Sequence, residues 1–225
     1  MHVYRALVLL LVSSAHVHLV FSEINEPRKG ALLDSDVQEE LYKKSFVKRR
    51  REHLEAAKNL QKTASYERLY KMIIILADKM ITVIEKSKDI LAGAEFNPSS
   101  SPFPLDPKVR EALTAVLENT ALFGDIILHI PHITHRILNA QPKLNTTMYW
   151  SLNFTNQTRH LLDNGTITMI RLVAQELNII ERDSNYFNPY WQTPNGHSQS
   201  EDALKKKKSK KEKLKKGPQI IKIEF

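Results

Sequence analysis

Four asparagines, Asn145, Asn153, Asn156 and Asn164, each stand two residues before a threonine with no proline between them. That spacing is the acceptor signature for an oligosaccharide on the asparagine amide, a modification of chains that enter the secretory lumen. Thirteen asparagines, in a chain where Ser and Thr fill roughly an eighth of the positions, predict about one or two such sequons by chance, so four within twenty residues is a signal. At about 100° per residue the four would span about 100° of one helical face. Met148, Trp150, Leu152, Phe154, Leu161 and Leu162 fill the remainder of that wheel, which leaves the asparagine face for solvent. Sites three residues apart compete for the transferase, so two or three occupied sites are expected.

His129, His132 and His135 follow one another at intervals of three, a spacing that invites metal ligation. Pro131 breaks a helix between them, the first and last would point about 120° apart, and Asp125 is the one carboxylate close by. Packed or surface histidines are the better reading, and no metal or cofactor is expected. No G-x-S-x-G, H-E-x-x-H or cysteine nucleophile occurs, and six glycines leave little scope for a phosphate-cradling loop. No catalytic residues are assigned, and the expectation is a protein that is not an enzyme.

The two ends carry the remaining chemistry. Residues 1–22 place Arg5 before the apolar run Ala6 to Val12, followed by small residues, with Val20 and Ser22 three and one positions before Glu23. That is the layout of a signal peptide removed after Ser22. At the other end Lys205, Lys206, Lys207, Lys208, Lys210, Lys211, Lys213, Lys215 and Lys216 crowd into twelve positions. The formal net charge is +8, and nine lysines against Glu212 account for as much by themselves, so the rest of the mature chain sums to −1. A nucleic-acid-binding body would carry its basic face on the folded part, so this placement argues against nucleic acid. A nuclear import signal, a patch for glycosaminoglycan or anionic lipid, and a solvated tail reaching an acidic partner surface all remain readings of the lysines. The final Lys222, Ile223, Glu224 and Phe225 look like a variant of the K-D-E-L retrieval address. An amphipathic strand with Ile221, Ile223 and Phe225 on one side is the alternative.

Helices must position these residues. The spacing predicts one from Asp34 to about Gln61, with Val37, Leu41, Val47, Leu54 and Ala57 on its apolar side. A second runs from Tyr66 to Gly93 and ends at that glycine. The two are expected to form an antiparallel pair inside a bundle rather than a long coiled coil. Residues 93–107, with four prolines and three consecutive serines, form a loop, after which Asp106 caps a helix with Pro107 at its first position. Pro131 interrupts that helix. Asn145 to Leu162 and Thr166 to Ile180 return to helical spacing around a turn at Asp163, Asn164 and Gly165. There is no cysteine, so packing alone must hold the body. The expected architecture is all-α: a helical bundle of about five to six helices over residues 23–190, with a disordered basic C-terminal tail over 191–225 and no membrane-spanning segment once 1–22 are removed.

Three stretches, LYKKSFVKRRREHLEAAKNL, ENTALFGDIILHIP and VAQELNIIERDSNYFNPY, resemble the coiled-coil domain-containing protein 134 family, and the lysine-rich tail before Gly217-Pro218 fits as well. The resemblance implies a mostly helical, non-enzymatic protein of the endoplasmic reticulum lumen or the secreted space. It also implies association with the chaperone endoplasmin, damping of mitogen-activated kinase signalling, and a retrieval-like tetrapeptide that maps onto Lys222 to Phe225. A luminal adaptor for endoplasmin or its clients is the leading expectation. A secreted, cytokine-like helical ligand held on glycosaminoglycans is the alternative.

Overall fold

The stretch from Ala112 to His129 carries apolar residues on every side of a helix, broken chiefly by Glu118, Asn119 and Asp125, and such a helix belongs at the centre of a structure. In the computed structural model, which describes residues 35–62 and 65–191, it does lie there. Helix α1 covers Ser35–Gln61, α2 Tyr66–Gly93, α3 Pro107–His129, α4 Pro131–Ala140, α5 Pro142–Gln157 and α6 Asn164–Glu176, with a 3-10 turn at Arg159–Leu161 before α6. The all-α expectation of five to six helices therefore holds for the described residues. Ala112 to Leu117 and Thr120 to His129 are buried without interruption on α3, and α1, α2, α5 and α6 pack around it.

Two expectations about the N-terminal helices need correction. They do not form an antiparallel pair: α1 and α2 each lean chiefly on α3. The inward face of α1 carries Tyr42, Phe46, Ala57 and Leu60, while Val37 and Leu41 face solvent. Two aromatic rings bury more apolar area than the smaller aliphatic residues beside them, and they set the rotation of the helix.

Local signals explain the boundaries. Asp106 accepts from the backbone N–H groups of Lys108 at 2.7 Å and Val109 at 3.2 Å, and Pro107 opens the helix where its missing donor costs nothing. Asp106→Ala is expected to lower stability by about 1 kcal/mol, read as a shift of the urea midpoint at constant slope. Helix α2 runs to Gly93 as expected, but the left-handed residue that reverses the chain is Glu95, at φ 52°, which places the Phe96 N–H on the Leu91 carbonyl. The loop then returns Phe103 to the core, where its ring lies 5.3 Å from that of Tyr42 and its carbonyl accepts from the Ser35 hydroxyl. At Pro131 the chain turns by 118° and begins α4. Among the described residues no single helix is long and apolar enough to cross a membrane, and the apolar bent pair α3 and α4 is the core of the bundle.

Candidate functional site

Of the sequon asparagines, Asn153, Asn156 and Asn164 are exposed and Asn145 is half-buried. Three of them ride on α5. Asn164 does not share their helix, because the 3-10 turn intervenes and Asp163 caps α6 by accepting from the Thr166 N–H, which places Asn164 and Gly165 in the first turn of α6 rather than in the expected turn between helices. Met148, Leu152, Phe154 and Leu161 are buried opposite, and Trp150 and Leu162 are half-buried. The signal at 1–22, the lysines from Lys205 to Lys216 and the terminal Lys222 to Phe225 lie outside the described residues.

Beneath α6 lies a charged network. The Arg50 guanidinium on α1 forks onto both oxygens of Asp125 on α3, and its Nε donates to the Thr166 hydroxyl at 3.0 Å. That hydroxyl donates in turn to Asp163 Oδ1 at 2.7 Å, so one arginine ties together three helices and a helix cap. The side chains of Arg50 and Asp125 are only 12% and 3% exposed, which makes this pair different in kind from the solvent-washed Lys71 and Glu67 at 69% and 77%. Next to it Arg49 reaches Glu118 at 3.5 Å. Burial pushes the Glu118 carboxyl up to about 7 although Arg49 pulls the other way. His53, buried with Nδ1 unpartnered, is driven down to about 3 by burial and by Arg50 and Arg49. Burial also raises the Tyr42 phenol, with the nearby Glu118 charge adding to it.

The three histidines go separate ways. His129 is buried, donates from Nδ1 to the Asp125 carbonyl at 2.8 Å, and packs on the Tyr190 ring at 4.9 Å. His132 is exposed and lies 6.0 Å from the Tyr66 ring. His135 meets Glu176 at 3.1 Å, and the Tyr186 hydroxyl donates to the other oxygen of that carboxylate. His135 holds the Glu176 carboxyl below the usual carboxylate range, while burial raises the Tyr186 phenol. No group of His, Asp and Glu among the described residues is arranged to hold a metal. The segment after α6 wraps onto the bundle, where Asn188 donates to the Leu128 carbonyl at 2.7 Å.

A family model described as "ERK and JNK pathways, inhibitor" matches residues 27–221, the whole described body and most of the lysine-rich tail. The chain belongs to this inhibitor family. Coiled-coil domain-containing protein 134 of Mus musculus is 37% identical over 163 residues, covering 72% of this chain and 70% of that protein. Its counterpart in Xenopus tropicalis is 32% identical over 166 residues, with 72% of each chain covered. No solved structure matches.

In this member of the inhibitor family the network of Arg50, Asp125, Thr166 and Asp163 was invisible from the sequence. The one available signal was Asp125 itself, a lone acid inside the apolar run ALFGDIILH, which demands a cation from elsewhere. Glu118 supplies a pH test. Its folded pKa lies above the ordinary carboxylate value of 4.5, so the folded state holds the extra proton and this contribution to stability falls as pH rises toward about 7. His53 acts oppositely, since the unfolded chain takes up a proton below 6.5 that the buried imidazole refuses. Glu118→Gln keeps His53 in place and removes the first effect alone. Thermal unfolding of the variant and the parent should therefore show the variant gaining on the parent between pH 5 and pH 8; a constant difference would remove Glu118 as a buried titrating group.

Proposed function

We propose that this chain is a non-enzymatic regulator of the secretory pathway that binds and protects endoplasmin or its clients during folding and glycosylation, and damps kinase signalling as a consequence. The observation that carries this reading is the family match over residues 27–221, whose description names inhibition of the ERK and JNK pathways. The signal-like layout of residues 1–22 and the solvent-facing Asn153, Asn156 and Asn164 support luminal entry. Kinases of those pathways act in the cytosol, so a luminal protein reaches them through something that crosses the membrane. A receptor matured by a chaperone meets that requirement. The nine lysines between 205 and 216 would meet an acidic partner surface with individually weak contacts whose sum is salt-sensitive.

Recovery of endoplasmin with the full chain from microsomes, stronger at low than at physiological salt, is the expected result, together with lower stimulated ERK and JNK phosphorylation that requires residues 1–22. Absence of endoplasmin at both salt concentrations would overturn the partner. A second reading, a secreted cytokine-like ligand held on glycosaminoglycans, draws on the same lysine run. Deleting Lys222 to Phe225 separates the two: new secretion supports retrieval to the endoplasmic reticulum, and unchanged secretion supports the ligand.

A further inference from the structure

The sequon signature requires a hydroxyl two residues after the asparagine, so the transferase must read the amide and the hydroxyl together. An α-helix turns residues two apart about 200° away from each other, and the two side chains cannot meet one reader. The structure obeys this rule at every sequon. The threonines that complete them, Thr147, Thr155, Thr158 and Thr166, are all buried, at 8%, 0%, 0% and 2% exposure. Three of these hydroxyls have work in the fold. Thr147 donates to Glu85, Thr158 to the carbonyls of Phe154 and Thr155, and Thr166 to Asp163 while accepting from Arg50.

Thr155 is the exception: its hydroxyl is sealed in the core and has no hydrogen-bond partner among the described residues. A buried, unpaired hydroxyl loses its water and gains nothing in return, whereas valine fills the same shape without that penalty. Threonine is also no better than valine as a helix former. The folded protein therefore gives no reason for oxygen at this position, while the unfolded chain does, because Asn153 lies two residues earlier and faces outward once α5 has formed.

We infer that Asn153 is glycosylated before α5 forms and that the Thr155 hydroxyl serves that step alone. This rests on the luminal reading above. The amide nitrogen of Asn153 bonds to the anomeric carbon of an oligosaccharide carried on a polyprenyl pyrophosphate. The sugar–phosphate bond breaks, the lipid pyrophosphate leaves with the electron pair, and the amide proton passes to a base of the transferase. Helix formation then withdraws the hydroxyl and closes the site, while the glycan stays on the solvent side of α5.

The test compares the full-length parent with Thr155→Val, Thr155→Ser and Asn153→Gln, expressed through the secretory route and mapped site by site, and with the same chains made without glycans in bacteria. The parent should carry a glycan at Asn153, Thr155→Ser should retain it, and Thr155→Val and Asn153→Gln should each lose one glycan. Bacterial Thr155→Val should melt at or above the parent's temperature. The folded bacterial parent, given solubilised transferase and its lipid-linked donor, should gain no sugar at Asn153, whereas a synthetic peptide spanning 148–160 should. Modification of the folded chain at Asn153, or a lower melting temperature for Thr155→Val, overturns the inference. A bare Asn153 beside a glycosylated Asn145, Asn156 or Asn164 also overturns it and leaves luminal entry standing. A parent with no glycan anywhere removes both.

Discussion

Asp125→Ala should destabilise the protein by about 3–5 kcal/mol, the loss seen when one partner of a buried ion pair is removed and the other is left uncompensated. Among the described residues the Arg50 guanidinium would keep its place between α1, α3 and α6 with only the Thr166 hydroxyl to accept from it, in surroundings that leave its side chain 12% exposed. The effect belongs to burial rather than to charge: Lys71→Ala, which deletes a pair exposed at 69% and 77%, should change stability by well under 1 kcal/mol. Paired apolar replacement, Arg50→Met with Asp125→Leu, should recover most of the loss, because neither substitute asks for solvation. Urea denaturation of the four chains decides the matter. Equal losses for Asp125→Ala and Lys71→Ala would show that the fork onto Asp125 contributes no more than a surface contact.

Phe46→Ala should cost a similar amount, about 3–5 kcal/mol, through lost transfer energy and the cavity left behind. Phe46 is 1% exposed and lies 5.8 Å from the ring of Tyr42, which itself meets Phe103 of the returning loop at 5.3 Å, so the cavity would open beside the aromatic contact that joins α1 to that loop. Marginal native stability of about 5–15 kcal/mol means that Phe46→Ala together with Asp125→Ala should leave a chain largely unfolded at room temperature. A midpoint for Phe46→Ala within 1 kcal/mol of the parent would mean that α1 contributes little to the described body.

What could be read beforehand followed from local rules. Asp106 with Pro107, the period of α2 and the break at Pro131 each depend on neighbours a few residues away, and each appears where expected. The face of α1 did not, because its aliphatic and aromatic residues offer two competing stripes among many charges, and the choice is made by α3 and Phe103, which lie far along the chain. The Arg50 and Asp125 contact spans 75 residues and leaves no periodic trace. Likewise the sequon asparagines are legible from three consecutive letters, while the fate of the Thr155 hydroxyl depends on what packs over α5.

The arrangement of α1 and α2 around α3, rather than on each other, also bears on the order in which the chain is made. Vectorial synthesis delivers Gln61 well before His129, and at about 5–20 residues per second the first two helices wait several seconds for the surface they cover. Until then the α3 surface on which both helices chiefly lean is missing, and a nascent fragment ending before Pro107 should remain open to protease and to any holding factor at the exit site.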